Sequence, residues 1–383
     1  MIDQPLIVLS LEGLATSALS CYGSSWNQTP AMDGIASTAA VWDRWIATSD
    51  SPRELLRGVF ESREWTSNFR SHGTIELFTD TATLLDGVSG DCFDHIEALQ
   101  TSSPESTEQP VSEIVDTQFG QLIAAAMDRD AKEEPWSVLW LHSDFLTKRW
   151  DAPRELFPID EIFEDQPSDE LELLVADSDS IEPLAAIASI FDSVIPPHFK
   201  LDSDPHPDLV TAWMRTYGCQ VRLADLLIEV LLQSLEDYDP QVIVLGASGF
   251  QLGQNGWIGN QAGPLRSPEV RLPMIVSDCG PLRFPQLTPS SDLLGLLGGL
   301  CDRDASESQQ SGYLSPQRWR SPTNDLPPVT TLSNRAKRAV TTPTWFCVQD
   351  EDDSEHLFLK PDDADDCNDV GRIRTDVIDQ LLP

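Results

Sequence analysis

The sequence predicts an α/β protein: a three-layer α/β/α sandwich with a mostly parallel central sheet and a small C-terminal α+β subdomain. Three observations carry this reading. The runs 6–9 (LIVL), 136–141 (WSVLWL) and 242–245 (VIVL) are short and almost continuously apolar, as strands buried on both faces must be. Segments with helical spacing of apolar residues alternate with them. Past about residue 330 the pattern changes to hairpin-like strands that are close in sequence.

The elements follow in order. Thr29 and Pro30 start a helix running through Ala40, with Thr29 as N-cap and Pro30 in the first turn. Residues 41–48 read as a strand, and Ser49-Asp50-Ser51-Pro52-Arg53 as a turn into a helix from Glu54. Residues 74–98 give two short strand-like pieces, one ending Phe78-Thr79-Asp80. Pro, Ser, Thr and Glu dominate 102–110, a surface loop. Residues 113–131 form an amphipathic helix with Ile114, Phe119, Ile123 and Met127 on one face. Residues 155–207 are acidic and proline-punctuated, an insertion or lid with one helix near 181–192. The longest helix, 209–235, marks its core face with Trp213, Tyr217, Val221, Ala224, Leu227, Ile228, Leu231 and Leu235. A strand at 271–276 and a short helix within 289–300 close the main domain, 1–301. A polar excursion occupies 302–330. The C-terminal subdomain, 331–383, has strands at 339–347 and 356–360 and a final helix at 372–382.

Composition narrows the function. The chain has 383 residues, 40% of them hydrophobic, ample for one large core. Its 63 acidic and 25 basic residues give a net charge of −38, which repels nucleic acid and anionic membranes. The expected partner is therefore a small molecule or a protein. No apolar run approaches the roughly 18 residues of a membrane span. Met1-Ile2-Asp3 leads directly into the first strand without a basic leader, and the seven cysteines are scattered without a CxxC pair. Both features are expected of a cytoplasmic protein with reduced thiols.

The richest stretch is 242–260, VIVLGASGFQLGQNGWIGN, a buried strand running into a glycine-rich loop. Open α/β sheets bind ligands at such strand ends. Near the N-terminus a second strand leads into Ser10-Leu11-Glu12-Gly13-Leu14, then Cys21-Tyr22-Gly23 and Thr29-Pro30-Ala31-Met32-Asp33. Together, in this order, these stretches resemble the sulfatase branch of the alkaline phosphatase superfamily. Further segments extend the resemblance over nearly the whole chain: 140–153 resembles the family's F-D-P-H-x-P-W-x-x-P, Asp225 stands in the aspartate place of its long helix, and 345–369 resembles its C-terminal subdomain.

The resemblance implies an alkaline-phosphatase-like sandwich and sulfate- or phosphate-ester hydrolysis. It also implies a divalent cation, Ca or Mg, held by hard oxygen ligands that stabilise an anionic transition state. The departures fall on that chemistry. Glu12 and Gly13 stand at the first carboxylate pair, and Ala247 and Ser248 replace the second pair of ligands. The family histidine falls at Thr147, and Asn260 stands where a lysine is usual. Ser51 and Arg53 occupy the nucleophile turn, but Pro52 follows Ser51 directly, so the spacing C/S-x-P-x-R is absent.

Each position also has a plainer reading. Glu12 is either a metal ligand or a strand-end carboxylate capping a turn, and Ser51 with Pro52 is also a helix start. His142, inside the strand pattern, reads as packing or hydrogen bonding. The small neutral substitutions predict that the pocket survives as a cavity without its cation. The expected function is therefore a degenerate, ligand- or partner-binding protein with no cofactor. The alternative is an active divergent sulfatase or phosphohydrolase that rebuilds its site from Glu12, Ser51 and acids brought in from elsewhere.

Overall fold

The computed structural model describes residues 4–67, 69–81, 83–100, 109–130, 135–157, 187, 189–202, 207–300 and 327–382. Most of the expected 155–207 insertion, most of its helix near 181–192, and most of the 302–330 excursion lie outside these residues.

The strands are β1 (Leu6–Leu11), β2 (Ala40–Ile46), β3 (Thr74–Thr79), β4 (His95–Ala98), β5 (Trp136–Ser143), β6 (Phe199–Lys200), β7 (Gln241–Gly246), β8 (Gln251–Leu252) and β9 (Trp257–Gly259). They continue with β10 (Arg271–Leu272), β11 (Met274–Val276), β12 (Leu282–Pro289), β13 (Val329–Thr330), β14 (Ala336–Thr341), β15 (Trp345–Asp350) and β16 (Glu355–Leu359). Nine of them form the central sheet in the order β10-β2-β11-β7-β1-β5-β3-β4, with β12 on β2. Strand β1 lies in the middle, parallel to both neighbours, with Val8 opposite Trp140 and Ile243. The three apolar runs are thus adjacent strands.

Alternation along β1 explains why it is apolar throughout. Leu6 and Val8 join one core with the helices Pro52–Phe60 and Leu293–Leu300; Ile7 and Leu9 join another with Gln118–Asp130 and Pro207–Ser234. A strand covered by helices on both faces has no polar side to display. The long helix buries Tyr217, Val221, Ala224, Leu227, Ile228 and Leu231, as its spacing predicts.

Three stretches differ from expectation. The expected strand 339–347 spans the end of β14, the connection after it and the start of β15, which pair antiparallel. The segment 271–276 is divided into β10 and β11 by Pro273, which lacks the N–H that a continuous ladder needs. Its ring sits where a Cβ on Gly246 would be, 2.6 Å from Cδ, so glycine at the end of β7 allows that approach. Strand β12 gives no sequence signal because Pro281, Pro285 and Pro289 punctuate it. It nevertheless pairs in parallel with β2 at the sheet edge, with a register shift between Phe284 and Leu287. Proline is tolerated in such a position.

The C-terminal sheet β13-β14-β15-β16 is antiparallel throughout and carries the Thr375–Leu381 helix on Cys347 and Leu357 through Val377 and Ile378. Its other face, with Ala339, Phe346, Val348 and Phe358, belongs to the same core as Trp42 and Leu272 of the main sheet. A third small sheet has the order β6-β9-β8. Among the described residues six cysteines are free, and no helix is long and apolar enough to cross a membrane.

Candidate functional site

The carboxyl ends of β7, β1, β5 and β3 lie side by side and bring most of the singled-out residues together. Glu12 follows β1, and its N–H donates to Ser143 O at 2.9 Å, holding the turn against β5. Gly13 then takes φ +79°, a conformation that side-chain-bearing residues rarely adopt. Its N–H donates to Ser248 Oγ at 2.9 Å, and its carbonyl accepts from the Tyr217 hydroxyl at 2.6 Å. Ala15 N–H donates back to the same hydroxyl at 2.9 Å, so Tyr217 clamps both sides of the turn.

From the other half-site, Asn260 Nδ2 donates to Ser248 Oγ at 3.0 Å and to Gly249 O at 2.7 Å. Ala247 is buried and its N–H donates to Leu11 O at 2.8 Å. Gly13, Ser248 and Asn260 are thus hydrogen-bonded to one another through the Ser248 hydroxyl, and Thr147 completes the group. A Cβ on Gly13 would lie 2.6 Å from Thr147 Cγ2, 3.3 Å from Leu146 Cβ and 3.6 Å from Phe250 Cδ2. At Gly13 itself, Thr147 and Leu146 crowd the space that the first carbon of a carboxylate side chain would need.

The nucleophile turn is placed differently. Ser51 is the N-cap residue of the Pro52–Phe60 helix, with Pro52 in the first turn, as expected. Arg53 turns to the Asp86 carbonyl, 3.2 Å away, and to Glu54. Among the described residues, no hydrogen bond or ion pair joins Ser51 or Arg53 to the Glu12–Gly13 turn. Asp50 instead ties this turn to the subdomain. Its carboxylate accepts from Arg335 Nε at 3.2 Å, while Arg335 Nη1 reaches Glu269 at 2.8 Å. Gln261, beside Asn260, donates to Asp50 O at 2.8 Å.

The sequence reading missed a group of acids on the other side of β1. Asp80 directly follows β3 and Asp144 directly follows β5. Asp80 accepts from Ser143 Oγ at 2.6 Å and from Asp144 N–H at 3.2 Å; Asp144 accepts from Gln118 Nε2 at 3.0 Å. Burial raises the Asp80 pKa, and burial followed by the charges of Asp80 and Glu12 pushes Asp144 up to about 7. The strand-end positions of both acids, Phe78-Thr79-Asp80 and His142-Ser143-Asp144, were visible in the sequence. Only the strand order β1-β5-β3 shows that they converge with Glu12.

His142 links the strand to this group. Trp140 Nε1–H can only donate, so Ser10 Oγ accepts it at 2.8 Å, and the same hydroxyl is hydrogen-bonded to His142 Nδ1 at 2.9 Å. His142 Nε2–H then donates to Glu12 at 3.2 Å. The arrangement has the composition of a nucleophilic triad, but Ser10 and His142 are both 0% exposed, so no substrate atom reaches the hydroxyl. It works as a relay that fixes the Glu12 carboxylate, confirming the hydrogen-bonding role expected of His142.

A hard cation takes about six or more oxygens, with several charged ligands. Among the described residues, no three His, Cys, Asp or Glu side chains are arranged to hold a metal ion. Glu12 is bound to His142, Asp80 to Ser143, and the remaining family positions are neutral. The residues present do not fit the cation that the fold family implies.

No family model matches the sequence, and no curated protein does. Solved structures do match over almost the whole chain. BT4656, bound to its substrate D-glucosamine-2-N,6-O-disulfate, aligns with TM-score 0.67 and 14% identity over 99% of this chain and 96% of its own. The phosphonate monoester hydrolase of Agrobacterium radiobacter gives TM-score 0.64 and 14% identity, covering 99% and 95%. BT1596, a 2-O GAG sulfatase, gives 0.61 and 13%, covering 98% and 90%. At such identities the likeness is one of architecture, and it agrees with the strand order and subdomain described above: this chain has the fold of these sulfatase and phosphonate monoester hydrolase structures.

Proposed function

We propose that this chain is a sulfatase-fold protein that has given up ester hydrolysis and acts by binding a small molecule or a protein. The observation that supports this reading is the packing at Gly13. A metal-binding carboxylate there needs a side chain, and the backbone conformation and Thr147 both oppose one. Ser248 and Asn260, at the other half-site, are spent on bonds to Gly13 and to each other. Removing the cation removes several kcal/mol of transition-state charge stabilisation, and nothing in the described group replaces it.

One observation favours the alternative. Asp144, titrating near neutrality beside Glu12, has the pKa that general acid–base catalysis prefers. The test is turnover of an aryl sulfate, a phosphomonoester and a phosphonate monoester by the purified chain, with and without Ca or Mg. The expected result is no turnover above the rate in buffer. Turnover that is abolished by both Glu12→Ala and Asp144→Asn would overturn the proposal and assign catalysis to the displaced acids.

A further inference from the structure

A cleft of about 270 Å³ lies where β2, β10 and β12 meet the C-terminal subdomain. Its wall carries three cations, Arg44, Arg271 and Lys360, against a single carboxylate, Asp43. Two of these four charges are neutralised locally. Lys360 is ion-paired with Asp366, and Asp43 with Arg283 Nε at 2.6 Å.

The other two are not. Arg44 is only 8% exposed, and its terminal nitrogens donate to the main-chain carbonyls of Pro343, at 2.6 Å, and Thr342, at 2.7 Å. Arg271 spends Nε on the Asp43 carbonyl at 2.9 Å, and its two terminal nitrogens make no bond among the described residues. Neither guanidinium has a carboxylate partner among those residues. Burial, and then the neighbouring charge of Arg271, pull the Arg44 pKa down to about 10. Buried charges in proteins are ordinarily paired or ligand-bound. In a chain with 63 acidic side chains, two adjacent arginines facing a cleft whose one carboxylate, Asp43, is already paired with Arg283 form an unusual local field.

We propose that this cleft binds a small oxyanion, gripped by the terminal nitrogens of Arg271 and by the Arg44 guanidinium. Planar guanidinium groups offer the paired N–H donors that carboxylate, phosphate and sulfate oxygens accept. The volume lies just below the usual range of small-molecule pockets, about 300–1,000 Å³. It suits an anionic head with a short body against the apolar wall at Ile46 and Pro285. The site shares no residue with the Glu12 turn and does not depend on whether that turn is catalytic.

Calorimetric titration of the full chain, with inorganic phosphate and separately with acetate, tests this. Saturable one-site binding of at least one probe is expected, weakened at least tenfold in Arg271→Gln and partly recovered in Arg271→Lys. The exposed control Arg374→Gln, far along the chain and paired with Asp376, leaves it unchanged. Phosphate without acetate identifies a tetrahedral oxyanion, and acetate without phosphate a carboxylate. Absence of saturable binding of both probes to the unmodified chain up to about 10 mM overturns the proposal. So does an affinity that is equal in Arg271→Gln, or an Arg271→Lys variant no weaker than the unmodified chain if the Gln variant does not fold.

Discussion

The Glu12 turn and the Arg44 cleft are both polar, and they differ in where their polar groups are directed. At the turn, Gly13, Ser248, Asn260, Tyr217, His142 and Glu12 bond to one another. At the cleft, Arg44 and Arg271 use part of their donors on main-chain carbonyls and keep their charges uncompensated. A hydrogen bond made internally is unavailable to a ligand, and a charge left without a counter-ion favours one. The turn that the family resemblance marks as the site is therefore the more self-contained of the two, and the cleft that no motif marks is the more receptive.

The largest effect that can break this comparison is at Gly13. Gly13→Asp introduces the carboxylate that the resemblance implies but forces a side chain into φ +79° and against Thr147. Backbone strain of about 1–3 kcal/mol and overpacking of similar size add to a loss of about 3 kcal/mol or more. Urea denaturation measures it. An unchanged midpoint together with calorimetric Ca binding would show that the turn remains an adaptable metal site.

The next effect depends on pH. The Asp144 pKa is raised from 3.8 to about 7 in the folded chain, so between those values the folded state binds more protons than the unfolded one. Its contribution to stability is complete below the lower value and is lost as pH rises toward the upper one. Comparing pH 5 with pH 8, the unmodified chain should lose on the order of 2 kcal/mol more than Asp144→Asn does. Equal losses would mean that Asp144 is hydrated rather than buried among Asp80 and Glu12.

The sequence made the frame of this comparison legible and hid the contents. Continuous apolar runs identified β1, β5 and β7 because burial on both faces removes any alternative composition. Proline punctuation concealed β12, since an edge strand tolerates residues that a central strand excludes. The positions Gly13, Thr147, Ser248 and Asn260 do come together, because they follow the carboxyl ends of the adjacent strands β1, β5 and β7. That Thr147 fills the space beside Gly13 depends on packing, which no spacing reports. Asp80, Asp144, Arg44 and Arg271 converge only through strand order, in contacts that join residues far apart in the chain.

Tyr217→Phe sharpens the comparison from the turn's side. The hydroxyl is fully buried, donates to Gly13 O at 2.6 Å and accepts from Ala15 N–H at 2.9 Å. Its removal leaves a buried N–H and a buried carbonyl short of a partner, worth about 1–3 kcal/mol in denaturation midpoint. A change near zero would mean that the turn is held by the Ser248 and Ser143 bonds alone.

The smallest effect, and the one that separates the two regions most cleanly, is Arg271→Gln. At the turn each substitution removes a satisfied contact and costs stability. At the cleft it removes one hydrogen bond to Asp43 O and also one of two cations that repel each other. These contributions oppose, so the net change should lie within about 0.5 kcal/mol of zero. Their salt dependence differs: repulsion between the guanidinium groups is screened as ionic strength rises, while the hydrogen bond is not. Measured without phosphate, the variant should therefore become less stable relative to the unmodified chain as NaCl is increased. With phosphate present the sign at low salt should turn, because the bound anion stabilises only the chain that holds it. A variant that is uniformly destabilised at every salt concentration, and indifferent to phosphate, would place Arg271 in the same self-contained class as the turn.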